Sequence, residues 1–200
     1  ENNFFSLNLR KNASGNLSLP GSKSISNRVI LLAALGNNKV EIINYLQSED
    51  TEVMLSVLNI LGVRFQKKIS SEKYRGEKKQ VPVLTVNGIG GKFDTLFHKR
   101  ERLNFFVGNS GLTIRTLLPV LVAIFSQKSN YLSAKIDGVD RMRQRPIGGL
   151  VDCLKKIGAK ITYLKKNGYA PLIIHPSKIV PCNEIVIDSS DSSQFLTGIL

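Results

Sequence analysis

Leu19-Pro20-Gly21-Ser22-Lys23-Ser24-Ile25-Ser26-Asn27-Arg28, followed by the apolar run Val29 to Leu35, reads as a turn that opens directly into a helix. Pro-Gly makes the turn, and small hydroxyl residues stand where helix N-caps belong. Arg28 lies four residues after Ser24, so both can face the same ligand from one side of the helix. Free backbone N–H groups, the helix dipole, hydroxyls and two cations in one turn compose an anion site. The plainer reading of the same residues is a capped surface helix with an incidental lysine.

The pattern recurs. Ser110-Gly111-Leu112-Thr113-Ile114-Arg115 precedes the apolar run Leu117 to Phe125, again placing small polar residues and an arginine at the head of a buried helix. Each helix leads to an expected strand, Val40 to Asn44 and Ser133 to Asp137. A second helix follows in each copy. The first ends in Leu58-Asn59-Ile60-Leu61-Gly62-Val63-Arg64-Phe65, the second in Leu154-Lys155-Lys156-Ile157-Gly158-Ala159-Lys160-Ile161. Glycine just past the end of each supplies the left-handed residue that closes a helix. The later helix carries Ile147, Leu150, Val151, Leu154 and Ile157 at helical spacing. Each copy closes on an expected hairpin, Arg64 to Lys68 with Val83 to Asn87, and Lys160 to Leu164 with Leu172 to His175.

The fold class is therefore α/β, built from repeated β-α-β-α-β-β units with mixed sheets and buried helices. A third copy begins at Ser192-Ser193-Gln194-Phe195-Leu196, and the sequence stops at Leu200 inside that helix, so the third unit is expected to be truncated. Phe4 to Leu19 alternates like a strand and precedes the first copy; it fits this domain or another.

Three further clusters carry chemistry. Gly108-Asn109-Ser110-Gly111 allows backbone amides to approach a ligand, yet it is neither a Walker loop nor a dinucleotide fingerprint. Asp137-Gly138-Val139-Asp140-Arg141-Met142-Arg143-Gln144-Arg145-Pro146 places alternating arginines, which grip carboxylate or phosphate bidentately, in a loop before a helix. Arg143 and Arg145 are equally able to pair with Asp137, Asp140 or other carboxylates and shape that loop. Asp188-Ser189-Ser190-Asp191-Ser192-Ser193-Gln194 offers hydroxyls and an amide, or simply caps a helix. In the repeat, these helix starts converge, which favours a shared site for a phosphorylated small molecule.

Composition sets the outer limits. A hydrophobic fraction of 42% and a charged fraction of 22% are those of a globular protein. No apolar run reaches membrane-spanning length, and the chain opens on Glu1 without a signal-peptide pattern, so cytoplasm is the expected location. Cys153 and Cys182 make no disulfide framework, and His98 and His175 have no companion ligands at metal spacing. The net charge of +13 fits a lysine-rich composition or an anionic partner. Its lysines fall in loop runs such as Lys67-Lys68, Lys78-Lys79 and Lys165-Lys166. A nucleic-acid surface would interleave aromatics with them, and only Tyr74 does so.

The run from Leu19 to Arg28 resembles the N-terminal signature of the EPSP synthase (3-phosphoshikimate 1-carboxyvinyltransferase) family. Gly108-Asn109-Ser110-Gly111, Arg141-Met142-Arg143-Gln144-Arg145-Pro146-Ile147-Gly148 and Ser192-Ser193-Gln194-Phe195-Leu196-Thr197 resemble its later motifs in the same order. The resemblance implies an inside-out α/β barrel of the enolpyruvyl transferase kind, with two domains of three units each and the active site between them. Residues 1–19 would belong to the other, incomplete domain, and residues 20–200 to the substrate-binding domain. The implied reaction moves the enolpyruvyl group of phosphoenolpyruvate to the 5-hydroxyl of shikimate 3-phosphate and releases phosphate, without metal or organic cofactor, in a monomer.

By the same resemblance, Lys23 is catalytic and contacts phosphoenolpyruvate near both substrates. Ser24 and Arg28 hold shikimate 3-phosphate, and Gly111 and Arg141 bind phosphoenolpyruvate. Ser192 and Ser193 take the shikimate phosphate, Gln194 touches both substrates, and Arg115 stands behind the ligand contacts. The other acid-base groups are expected outside this chain. Leu112 stands where the family commonly has Thr, and Thr116 where Pro is common; the first bears on the fit of phosphoenolpyruvate and of glyphosate, the inhibitor that competes with it. UDP-N-acetylglucosamine enolpyruvyl transferase shares the architecture and donor, but Ser24 and Arg28 suit a sugar-like phosphate instead. A basic nucleic-acid-binding domain is the alternative of another class.

Overall fold

The computed structural model describes residues 12, 14, 15, 17, 19–74, 77–91, 102–127 and 133–200. Helix α1 (Lys23–Leu35) leads to strand β1 (Lys39–Ile43), helix α2 (Glu49–Ile60), and the hairpin β2 (Arg64–Tyr74) and β3 (Glu77–Asn87). Strand β4 (Leu103–Phe106) then leads to helix α3 (Gly111–Gln127), strand β5 (Ala134–Asp137) and a 3₁₀ turn at Met142–Gln144. Helix α4 (Gly148–Lys156), strands β6 (Lys160–Tyr163) and β7 (Leu172–His175), and helix α5 (Gln194–Ile199) complete the order.

The two units repeat in topology as well as in order. The first sheet runs β1-β3-β2 and the second β4-β5-β7-β6, so β1, β3 and β2 stand where β5, β7 and β6 stand. Pairing is antiparallel in both, except that β4 joins β5 in parallel through α3. A first-unit counterpart of β4 would come from the stretch before α1. The strand expected over Phe4–Leu19 lies largely outside the described residues, as do His98 and the side chain of Tyr74.

Local signals set the helix ends. Ser48 caps α2 reciprocally with Thr51, and Glu49, Asp50 and Glu52 fill its first turn, complementing the helix dipole. Gly62 and Gly158 adopt φ of 86° and 101° just past α2 and α4, the left-handed conformation that glycine tolerates. The predicted first hairpin is in the expected register, Arg64 opposite Asn87 and Lys68 opposite Val83. It runs further than expected, to Tyr74 and Glu77. Beyond Val83 the ribbon leaves β1; Val81 is still buried, but Lys68 and Ile69 are exposed, so the inward-facing pattern fades along the extension.

One apolar core joins both units. Helix α3 contributes Ile114, Leu117, Leu118, Leu121 and Val122 to it, buried along one face at helical spacing. Cys153 is buried and Cys182 exposed, both as free thiols. No described helix is long and apolar enough to cross a membrane. Apart from Thr85, the buried polar residues among those described are Ser26, Asn27, Thr51, Ser110, Thr113 and Thr116, all at or near the starts of α1, α2 and α3. The polar interior is thus concentrated at one end of the helices.

Candidate functional site

The N-terminal turn of α1 is pressed against the β1–α2 connection. A Cβ on Gly21 would sit 2.1 Å from the Asn44 carbonyl oxygen, so only glycine fits. Ser22 accepts the Ile25 N–H at 3.5 Å as the N-cap, and Ser26 Oγ accepts from Leu46 N at 2.9 Å. Lys23 Nζ forms an ion pair with Asp50 Oδ2 at 2.8 Å. Arg28 Nη1 donates to the Ser24 carbonyl at 3.2 Å, which keeps these two residues on one side of α1 as their spacing suggests. Asn27 is fully buried, and its Nδ2 donates to the Asp50 carbonyl at 3.0 Å and to Thr113 Oγ1 at 3.2 Å. A single amide therefore ties the first turns of three helices together.

The Gly108–Gly111 loop supplies the start of α3. Gly108 turns at φ 53°, and buried Ser110 caps the helix by accepting from Thr113 N at 3.3 Å, with Thr113 Oγ1 2.7 Å from its hydroxyl. A Cβ on Gly111 would lie 2.8 Å from Arg145 Nη1. Glycine here gives the guanidinium room to reach the loop. Leu112 is buried in this turn, and Thr116 bonds back to the Leu112 carbonyl at 2.9 Å.

The three loop arginines have three different fates. Arg143 holds Asp137 with two bonds, Nε to Oδ1 at 2.8 Å and Nη2 to Oδ2 at 2.9 Å, and reaches Asp140 Oδ1 at 2.9 Å. It shapes the loop, as one reading of the sequence allowed. Burial resists ionisation of Asp137, but Arg143, the Gly138 N–H and Lys135 outweigh it and hold the carboxyl below its ordinary range. Arg145 turns toward α1 and α3. Arg141 is exposed, and its guanidinium has no partner among the described residues.

Lys23, Glu49, Asp50, Asn109, Ser110 and Arg145 line one polar cleft of about 130 Å³. Asp50 is the principal carboxylate in it. Burial alone would raise its pKa; hydrogen bonds from Lys23 and Ser110 and the charges of Lys23 and Arg145 win and lower it. The buried polar atoms without a partner among the described residues are Asn27 Oδ1, Asn109 Oδ1 and Arg115 Nε, all at or beside this cleft. Arg115 donates to Gln194 Oε1 at 3.0 Å and to the Pro146 carbonyl at 3.2 Å, bringing the head of α5 against α3.

The structure thus gathers Lys23 with the Gly111 loop, and links Gln194 to that loop through Arg115. It shows no side-chain bond from Ser192 or Ser193 to Lys23, Ser24 or Arg28: Ser192 Oγ accepts from Gln194 N at 3.2 Å, and Ser193 makes no capping bond. Asp50, Glu49, Asn27 and Asn109 are site residues that the sequence reading did not single out. One signal was available: Ser48-Glu49-Asp50-Thr51 heads α2 in the place that Arg145-Pro146-Ile147-Gly148 takes before α4, so the repeat itself pointed to a further helix start.

Comparison with known proteins gives the family. The chain is 42% identical over 186 residues to the 3-phosphoshikimate 1-carboxyvinyltransferase of Sulfurovum sp., covering 93% of this chain and 39% of that relative. It is 43% identical over 188 residues to the protein of the same name from Nitrosomonas europaea, covering 94% and 38%. The structure of EPSP synthase from Acinetobacter baumannii superposes with a TM-score of 0.70 at 22% identity, over 93% of this chain and 37% of that one, and shows the fold. The chain therefore spans about two fifths of the length of the curated relatives it matches. Residues 7–200 match the EPSP synthase (3-phosphoshikimate 1-carboxyvinyltransferase) family, and with a repeat, a polar cleft and relatives that all agree, the chain belongs to that family.

Proposed function

We propose that the full-length protein containing this chain transfers the enolpyruvyl group of phosphoenolpyruvate to the 5-hydroxyl of shikimate 3-phosphate, giving 5-enolpyruvylshikimate 3-phosphate and phosphate. The observation that carries the reading is the cleft in which Lys23 and Arg145 meet the Gly108–Gly111 loop. Cations and small donors on converging helix starts suit two substrates that each carry a phosphate and a carboxylate.

Lys23 lies where it can neutralise phosphoenolpyruvate and assist proton movement as the alkene carbon is protonated, the hydroxyl adds and the tetrahedral intermediate collapses. Gly111 keeps the loop backbone open to phosphoenolpyruvate, with Arg141 as a second cation; Arg145, set beside Gly111, joins them. Ser24, Arg28, Ser192 and Ser193 take shikimate 3-phosphate, and Gln194 bridges the two substrates. Residues 20–200 act as one substrate-binding domain, residues 1–19 belong to the other, and the remaining acid-base groups lie outside this chain. The protein works as a cytoplasmic monomer.

Phosphate release by the full-length protein, measured with phosphoenolpyruvate and shikimate 3-phosphate, tests the reading. Turnover with a UDP-sugar acceptor and none with shikimate 3-phosphate would overturn it. The 200-residue chain alone is expected to release no phosphate.

A further inference from the structure

We propose that Arg115 is a positioning residue that fixes the amide of Gln194, so that this side chain offers only N–H donors to an anionic ligand oxygen. The inference rests on the reading of Gln194 as a substrate contact and says how that contact is prepared.

Arg115 lies one turn into α3 and faces two other elements at once, through Nη1 to Gln194 Oε1 at 3.0 Å and Nη2 to the Pro146 carbonyl at 3.2 Å. Its guanidinium also stands over the Phe195 ring at 5.3 Å. A guanidinium has donors and no acceptor, so the Gln194 atom facing it must be the carbonyl oxygen. An otherwise free glutamine amide can present either end. Here one end is occupied, and Nε2 makes no hydrogen bond among the described residues. The backbone N–H of Gln194 is taken by Ser192 Oγ at 3.2 Å, which leaves the amide as the residue's free donor.

The gap that the pair spans is held by close contact. A Cβ on Gly198 would fall 2.5 Å from the Arg115 carbonyl oxygen and 3.3 Å from Pro119 Cγ, so α5 lies directly on α3. Arg115 is half-buried, and its Nε has no acceptor among the described residues. Burial and then the neighbouring charge of Arg145 oppose its cation, with Asp191 acting the other way. Of its contacts, the one from Nη1 sets the orientation of Gln194, while the Pro146 carbonyl and the Phe195 ring hold the guanidinium in place. A donor-only amide donates to phosphate or carboxylate oxygens and rejects donor groups such as ammonium.

The experiment measures binding of shikimate 3-phosphate to the full-length protein by calorimetry, alongside its thermal unfolding. In Gln194→Glu the carboxylate still accepts from Arg115, so the unfolding midpoint should hold, while the lost donors weaken binding at least about tenfold. Arg115→Met should weaken binding severalfold in the unsubstituted background, yet change it less than about twofold in a Gln194→Ala background. Gln194→Glu that binds as tightly as the unsubstituted protein overturns the proposal, as does an equal Arg115→Met loss in both backgrounds. Should Arg115→Met fail to fold, the Gln194→Glu result decides alone. If the unsubstituted protein does not bind shikimate 3-phosphate, the proposed function fails, and the same comparison with inorganic phosphate decides this inference. Binding of neither overturns both.

Discussion

Lys23 and Asp50 face each other between the first turns of α1 and α2, Nζ to Oδ2 at 2.8 Å, so the leading candidate for ligand neutralisation already holds a carboxylate. Asp50 is the better shielded partner, with its side chain 21% exposed against 53% for Lys23. An anion entering the cleft meets a lysine held in place and partly compensated.

Asp50→Asn removes that compensation and leaves Lys23 and Arg145 facing one another. Because Lys23 is half exposed, the loss of stability at neutral pH should be under about 1 kcal/mol. The pKa of Asp50 is lowered in the folded chain, so its contribution is present above the ordinary aspartate value of about 3.9 and is lost as pH falls through the lower folded value. Urea unfolding at pH 6 should separate the two proteins, and the separation should narrow as the pH is taken down into the acid range below the ordinary aspartate value.

Asn27→Ala deletes the amide that joins α1 to the Asp50 carbonyl and to Thr113. Thr113 Oγ1 keeps the Ser110 hydroxyl at 2.7 Å, so the loss is that of two hydrogen bonds and of a fully buried side chain, and stability should fall by about 1–3 kcal/mol. Chemical denaturation measures this directly, and an unchanged midpoint would show that the tie is dispensable.

Gly111→Ala should fold, since the nearest obstacle to its Cβ is the end of a flexible arginine side chain, Arg145 Nη1 at 2.8 Å. Displacing that guanidinium should lower kcat/KM for phosphoenolpyruvate by roughly tenfold to hundredfold. Steady-state kinetics with shikimate 3-phosphate held saturating gives the comparison.

Arg28→Ala leaves α1 intact, because Arg28 bonds only to the Ser24 carbonyl among the described residues. Shikimate 3-phosphate binding should weaken by about 1.5–3 kcal/mol, the worth of a hydrogen bond to a charged group. Equilibrium titration provides the check, and an unaltered dissociation constant would remove Arg28 from the phosphate contacts.

Much of this architecture was legible beforehand because it is written in short-range chemistry. Helix α2 ends at Ile60, with Gly62 just beyond, because the residues around it favour that close, and the hairpin register follows from which of its residues turn inward. The extension of β2 and β3 to Tyr74 and Glu77 was not legible, since past the buried Val81 its described side chains, Ser71, Lys78, Lys79 and Gln80, are exposed. The site divides in the same way. Lys23 and Gly111 stood at helix starts that the sequence marked, whereas nothing in the sequence reading pointed to Asp50.

By itself, the sequence determined the repeat, the helix boundaries and the residue types able to hold phosphate, because caps, turns and periodicity act over a few neighbouring residues. Only the tertiary structure decided which arginine shapes the loop, which reaches the cleft and which orients Gln194. Those choices depend on partners far apart in the chain, Asn27 with Thr113 across 86 positions and Arg115 with Gln194 across 79. A guanidinium will donate to any carboxylate or carbonyl that packing brings near it, and packing is a property of the whole fold.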